Sequence, residues 1–423
     1  MRAAISHSNV KEGAFVSLPS SKSLSHRALI TAALSEGVSH IKGIAISKDI
    51  EATIRVMEQL GASFDVQDHL ITVTGAAGCL KVPDDVMDCG ESGSTLRFMI
   101  PVAAMLNKVV RFTGHGKLME RPQTVYEDLF AQQSLLFERD GSCLCLKGPL
   151  HGGHFNLRGD ISSQFFSGLL FALPLCSEDS TIEILPPFES RAYVTLTIEA
   201  LRKAGVKAQL DGNTLHIPGN QTYRCFDTVV EGDDSQMAFF VEMALVHRST
   251  VTIANISHDS LQADHVIVDL ARLAGASVEE TENGYTIKAE NPRAITADLS
   301  DCPDLGPALF AMATQLEGTS VFTGCGRLRI KESDRIGCME EELRKLGCDI
   351  TSKGDTVTVK GPTRLKNNVV LHDHNDHRIV MALSTLASIS DGCIMEDAQA
   401  VTKSYPHFFE DFVACGMECK CHD

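Results

Sequence analysis

Seven basic residues stand on short polar segments next to apolar runs, in a chain that is acidic as a whole (38 Lys+Arg against 55 Asp+Glu, net charge −17). Lys22 and Arg27 flank the start of the first such run, and Arg121 lies in Met119-Glu120-Arg121-Pro122. Lys331 and Arg335 bracket Glu332 in Arg329-Ile330-Lys331-Glu332-Ser333-Asp334-Arg335, and Arg378 and Lys403 fall in the last part of the chain. Arginine grips carboxylate or phosphate with two parallel hydrogen bonds, whereas lysine acts as a movable point charge. One arginine in a loop is ordinarily solvated surface. Seven cations at matched places point instead to substrates that carry several anionic groups. Asp304 and Glu332 are the carboxylates among them. In a cationic cleft such groups can take a proton from a hydroxyl or deliver one; the plainer reading is a helix cap for Asp304 and a salt-bridged surface acid for Glu332.

Other chemistries find little support. Ser21-Lys22-Ser23 resembles the end of a phosphate-binding loop but lacks its glycines, and Gly324-Cys325-Gly326 is not followed by the third glycine of a dinucleotide fingerprint. No nucleophile elbow or zinc-protease helix occurs. His372-Asp373-His374-Asn375-Asp376-His377-Arg378 could supply metal ligands, but His and Asp at a helix start more often cap and hydrogen-bond. The fourteen cysteines include no CxxC pair. The crowded Cys415, Cys419, Cys421, His422 tail fits no zinc spacing and reads as a loose terminal segment. No metal and no cofactor are expected.

The elements that must position these residues come from an internal repeat. An amphipathic helix, a turn and a short alternating strand recur six times. The turn carries Gly61, Ser134, Gly205, Gly275, Gly347 and Gly416, separated by 73, 71, 70, 72 and 69 residues. A residue just past a helix end in the left-handed region is the expected C-cap. Each repeat also holds a second helix that is apolar nearly all round and therefore buried. Its openings are Ser21-Lys22-Ser23, Glu91-Ser92-Gly93-Ser94, Ser162-Ser163-Gln164, Asp233-Asp234-Ser235, Asp301-Cys302-Pro303-Asp304 and Asn375-Asp376-His377-Arg378. Ser and Asp there are good N-caps. Each helix N-terminus presents about half a positive charge and free N–H groups, so several gathered together would attract an anion. An even split gives two α/β lobes of three repeats, with a crossover near Val230-Glu231-Gly232-Asp233 and a ligand cleft between them.

Composition agrees. At 423 residues, 43% hydrophobic and 22% charged, the chain suits a globular protein of two or three domains. Its acidity argues against nucleic acid as a partner. No run is long enough to span a membrane, and the N-terminus lacks the apolar stretch of a signal peptide, so a cytoplasmic location is expected.

LPSSKSLSHRAL, GESGSTLRF, LMERP, SSQFFSGLL, DCPDLGPAL, RIKESDR, NDHR and TKSYPHFFEDF, in order from residue 18 to about 412, together resemble the EPSP synthase family of enolpyruvyl transferases. The resemblance implies two similar lobes, each an inside-out α/β barrel of three βαβαββ units: residues 1–19 with 232–423, and residues 20–231, hinged near 18–21 and 229–234. It implies condensation of phosphoenolpyruvate with shikimate 3-phosphate, with release of phosphate, by a metal-independent monomer of the shikimate pathway that leads to aromatic amino acids. Lys22, Ser23, Arg27, Ser162, Ser163, Gln164, Ser190, Asp304 and Lys331 would hold shikimate 3-phosphate. Lys22, Gly93, Arg121, Gln164, Arg335, Arg378 and Lys403 would hold phosphoenolpyruvate. Asp304 would be the base on the acceptor hydroxyl, and Glu332 the proton donor to the methylene carbon, with Lys22 its rival.

This chain departs from the family pattern at three places: Ser20 where Gly is frequent, Glu91 where Asn is common, and Arg327 where an Asn usually contacts shikimate 3-phosphate. Arg327 is expected to serve the same phosphate. Gly93 matches the small residue that leaves room for glyphosate, so the chain is expected to be a glyphosate target. A sister enzyme acting on UDP-N-acetylglucosamine shares the six-repeat fold but typically has a Cys-bearing loop where this chain reads GHGKLMERP. A non-catalytic anion-binding protein on the same fold is the other alternative.

Overall fold

The computed structural model describes residues 1–68 and 70–422. Among these, twelve α-helices alternate between buried and amphipathic types. They are α1 (Lys22–Leu34), α2 (Lys48–Gln59), α3 (Gly93–Ala103), α4 (Thr124–Gln132), α5 (Gln164–Ala172), α6 (Arg191–Lys203), α7 (Asp234–Val246), α8 (Ile267–Leu273), α9 (Gly306–Ala313), α10 (Arg335–Lys345), α11 (His377–Ala387) and α12 (Phe408–Ala414). The odd-numbered six are the apolar ones. Every residue of α7 and of α11 is buried, as a helix without a polar face requires.

Six four-stranded sheets share one topology: a parallel pair at one edge, then two antiparallel neighbours. The third repeat shows it without interruption. His154–Arg158 runs parallel to Ser180–Leu185, which pairs antiparallel with Thr214–Ile217, which pairs antiparallel with Gln209–Asp211. The buried helix connects the first two strands, as a parallel pair demands, and the amphipathic helix connects the second to the hairpin. The left-handed turn after each amphipathic helix is present in all six repeats: Gly61 φ +110°, Ser134 +55°, Gly205 +75°, Gly275 +90°, Gly347 +93° and Gly416 +107°. Ser134 adopts it despite its Cβ.

The chain folds into two units, one of Ser20–Val230 and one of Met1–Pro19 with Glu231–Asp423, each with its own apolar core. The strand leading into α1, Phe15–Ser17, pairs in the second unit with Thr250–Ala254. The strand leading into α7, Asp227–Val229, pairs in the first with Val38–Lys42. Each unit thus completes one sheet with the strand that precedes the other unit's first helix.

Two expectations need correction. The cysteine tail is not loose: Cys419–His422 is a strand antiparallel to Arg2–Ile5, in register Arg2↔His422 to Ile5↔Cys419, and Cys415 is buried. The sixth repeat ends before its last strand, so the chain's own N-terminus supplies it and the tail is the neighbour that strand needs. Nor do all six buried helices carry a side-chain cap. Ser21, Ser92, Asp233 and Asp376 accept from backbone N–H groups of α1, α3, α7 and α11. At α5 and α9 the residue preceding the helix makes no such bond. Asp304 sits in a 3₁₀ turn, Pro303–Leu305, ahead of α9, so it is not a cap. None of the helices in the described residues is long and apolar enough to cross a membrane.

Candidate active site

In the Ser20–Val230 unit the polar helix starts converge. Lys22 is the first residue of α1, and its Nζ lies 3.0 Å from Asp49 Oδ2 in the first turn of α2. Beneath it, hydrogen bonds join three helices: His26 Nδ1 to Thr53 Oγ1 (2.8 Å), Thr53 Oγ1 to Thr95 Oγ1 (2.7 Å), and Thr95 Oγ1 donating to Ser92 Oγ (2.8 Å). Burial, then the nearby charges of Lys22 and Arg27, hold His26 well below its ordinary pKa, so it is neutral and structural.

Arg27 is also buried. Its Nε donates to Thr197 Oγ1 (2.9 Å), Nη1 to the Ser23 carbonyl (2.7 Å), and Nη2 to Ser167 Oγ (3.2 Å) and the Tyr193 carbonyl (3.0 Å). These bonds pin α1 against α5 and α6 and fix the backbone of Ser23, the residue that the resemblance places with Arg27 at shikimate 3-phosphate. Burial draws its pKa down to about 10.

Gly93, the first residue of α3, leaves room for the Arg121 guanidinium. A Cβ there would stand 2.6 Å from Arg121 Nη1 and 3.7 Å from Gln164 Oε1. Arg97 Nη1 donates to Gln164 Oε1 (2.9 Å) and Gln164 Nε2 to Ser94 Oγ (3.0 Å), so the α3 and α5 starts are laced together. Ser162 and Ser163 are buried at the α5 start, with Ser162 Oγ accepting from Gln164 N–H (3.3 Å). Ser190 enters α6 in the left-handed region, φ +54°. Glu91 lies half-buried directly before the Ser92 cap.

In the other unit Asp304 is the hub. Its Oδ1 accepts from Arg335 Nη1 (2.8 Å) and Lys331 Nζ (3.3 Å), and its Oδ2 from Arg378 Nη2 (3.3 Å). Burial alone would raise its pKa; Arg378, Lys331 and Arg335 together overturn that and hold the carboxylate ionised well below its usual range. Arg335, only 1% exposed, also donates to Glu332 Oε2 (2.7 Å) and to Asp376 Oδ2 (2.8 Å). Burial lowers its proton affinity, but Asp376, Glu332 and Asp304 more than compensate. Glu332 is therefore a partner of a buried arginine and not a solvated surface acid.

Burial lowers the Lys331 pKa, against the attraction of Asp304 and with repulsion from Arg327 and Arg335. Arg327 itself is buried in the 3₁₀ segment Gly326–Ile330. Arg378 Nη2 also donates to Ser235 Oγ (2.9 Å), and Lys403 Nζ to the Asn375 carbonyl (2.8 Å). Of the histidines near Arg378, His374 Nε2 is 2.8 Å from Glu342 Oε1 and His372 Nδ1 is 3.2 Å from Glu396 Oε2.

Four contacts escaped the sequence reading: Asp49 on Lys22, Arg97 on Gln164, Ser235 on Arg378, and Asp376 on Arg335. Only Arg97 left a signal, a charged residue inside the apolar run LRFMIP. The others are common residues whose partners lie between 27 and 143 positions away.

Each unit thus presents cations on helix starts, with a network of carboxylates around the buried Arg335 in one of them, suited to polyanionic ligands and proton transfer. The family model for EPSP synthase (3-phosphoshikimate 1-carboxyvinyltransferase) matches residues 10–412. A 3-phosphoshikimate 1-carboxyvinyltransferase from Clostridium kluyveri is 42% identical over 409 residues, covering 95% of both chains. One from Clostridioides difficile is 37% identical over 415 residues, covering 95% of this chain and 94% of that one. An EPSP synthase structure from Acinetobacter baumannii superimposes with a TM-score of 0.83 at 24% identity, over 100% of both chains, and so shares the two-lobed α/β fold. With the family model spanning nearly the whole sequence, the chain belongs to the EPSP synthase (3-phosphoshikimate 1-carboxyvinyltransferase) family.

Proposed function

We propose that the protein transfers the enolpyruvyl group of phosphoenolpyruvate to the 5-hydroxyl of shikimate 3-phosphate, releasing phosphate, in the shikimate pathway to aromatic amino acids. Family membership supports the reaction, and one observation carries the chemistry: a carboxylate, Asp304, held between 2.8 and 3.3 Å from three cations. Lys22, Ser23, Arg27, Ser162, Ser163, Gln164, Ser190, Arg327 and Lys331 would serve shikimate 3-phosphate. Gly93, Arg121, Gln164, Arg335, Arg378 and Lys403, with Lys22, would serve phosphoenolpyruvate.

Asp304 takes the hydroxyl proton as the oxygen attacks C2 of phosphoenolpyruvate, and a proton delivered to C3 completes a tetrahedral ketal. Loss of a C3 proton and of phosphate then restores the double bond in the product. A carboxylate this strongly stabilised is a weak base. Substrate anions that draw Arg335 and Arg378 toward themselves release part of that hold and raise its basicity when a proton must be taken. Glu332, 2.7 Å from Arg335 Nη2, would deliver the proton to C3, with Lys22, 3.0 Å from Asp49, as its rival for that role. Fixing both substrates supplies proximity, and the buried cations supply electrostatic stabilisation.

The protein would act in the cytoplasm as a monomer. Phosphate release on mixing phosphoenolpyruvate with shikimate 3-phosphate tests the reading. Release with UDP-N-acetylglucosamine as acceptor instead, or with neither acceptor, would overturn it.

A further inference from the structure

Glu342, fully buried in α10, faces three donors. Its Oε1 accepts from Lys345 Nζ (2.7 Å) and His374 Nε2 (2.8 Å), and its Oε2 from the His372 backbone N–H (3.1 Å). Two of these contacts land on the segment that leads into α11. There His374 and Asn375 have φ +50° and +57°, two successive residues with a Cβ in the left-handed region. Such a pair is disfavoured in isolation and persists where its surroundings over-determine it.

What the turn presents is functional. The Asn375 carbonyl accepts from Lys403 Nζ at 2.8 Å, and the Asp376 carboxylate accepts from Arg335 Nε at 2.8 Å while capping α11. Cys338 stands one turn before Glu342 on the same helix, α10. Cys338 first, and the Glu342 carboxylate second, push the imidazole pKa up to about 10. Glu341, Glu342 and His374 can bring ligand atoms within 4.8 Å of one another, as a metal would require. The Lys345 ammonium, 2.7 Å from Glu342 and 3.2 Å from Glu341, already answers that negative charge, so the cluster is a clamp.

We propose that His374, gripped by Glu342, is a positioning residue for phosphoenolpyruvate: it holds the left-handed turn that anchors Lys403 and Arg335. The proposal rests on the assignment of those two cations to phosphoenolpyruvate. His374→Leu removes the donor and keeps the Cβ, His374→Gly removes the donor but adopts the turn freely, and His374→Gln keeps an N–H donor.

In steady-state phosphate release, His374→Leu is expected to raise the KM for phosphoenolpyruvate about tenfold, the loss of one charge-assisted hydrogen bond. The KM for shikimate 3-phosphate and kcat should change far less. His374→Gln and His374→Gly should recover most of the loss. Without any substrate, acetic anhydride should acetylate Lys403 several-fold faster in His374→Leu than in the parent, read by peptide mass spectrometry. Equal rises in both KM values, no change in Lys403 acetylation, or a glycine variant as impaired as the leucine variant each overturn the proposal. Should the parent release no phosphate from the two substrates, the reaction assignment fails, while the acetylation rates still decide the clamp.

Discussion

Gly93→Ala isolates one steric contact. The added Cβ would stand 2.6 Å from Arg121 Nη1, so the guanidinium must retreat by about 0.8 Å to reach the 3.4 Å of an ordinary contact. Gln164 Oε1, at 3.7 Å, need not move. A retreat of that size stretches a 2.8 Å hydrogen bond from Arg121 to a bound anion past the useful range, which forfeits about 1.5–3 kcal/mol, or roughly 10- to 150-fold in affinity. The fold should not suffer. Ser92 still caps α3, and alanine is favoured over glycine in a helix by up to about 1 kcal/mol. Phosphate-release kinetics should therefore show the KM for phosphoenolpyruvate raised by at least about tenfold, the KM for shikimate 3-phosphate unchanged, and a thermal midpoint equal to or above that of the parent. A phosphoenolpyruvate KM within twofold of the parent would refute the assignment of Arg121. Equal increases in both KM values would show that the Cβ disturbs the whole helix start.

Four other outcomes are expected. Asp304→Asn should lower kcat by about 10²–10⁴-fold, as for loss of a positioned base, without raising the KM for phosphoenolpyruvate, because Arg335 and Arg378 lose a competing carboxylate; a kcat within tenfold of the parent rules Asp304 out as the base. Arg327→Ala should raise the KM for shikimate 3-phosphate, and an unchanged value sinks that role. Glyphosate should inhibit the parent in competition with phosphoenolpyruvate, and inhibition assays showing indifference would contradict the room left at Gly93. Glu242, fully buried in α7 with neither carboxyl oxygen hydrogen-bonded, has its pKa pushed well above the ordinary value by burial. Its contribution to stability is complete below the unfolded-state pKa of about 4.3 and is lost as pH rises toward the folded value, by about 1.4 kcal/mol per unit. Denaturation of Glu242→Gln beside the parent should show the variant's advantage widening from pH 5 to pH 6, and a constant difference would mean that Glu242 is ionised in the fold.

The repeat was legible because its signals are local. A helix that must end in a left-handed residue selects glycine at nearly every copy, and the six positive φ values fall where those residues stand. The buried helices were legible because a segment apolar on all faces has nowhere else to go. Short-range caps were read correctly at Ser21, Ser92, Asp233 and Asp376, but Asp304 was not a cap, since its charge is claimed by three distant cations.

The sequence by itself determined the fold class, the number of repeats, the family and a cationic residue set suited to phosphates and carboxylates. These follow from periodicity, composition and residue chemistry, which are properties of neighbours along the chain. Only the tertiary structure decided that the N-terminal strand and the cysteine tail complete the sixth sheet, that the two units exchange the strands before α1 and α7, and that Arg27 braces α1 against α5 and α6 through Thr197, Ser167 and the Tyr193 carbonyl. It also decided which acids meet which bases: Asp49 with Lys22, Asp376 with Arg335, Glu342 with His374. An ion pair depends on a distance of a few ångströms between groups that can lie more than a hundred residues apart, and packing of the apolar helices, not the charges themselves, sets that distance.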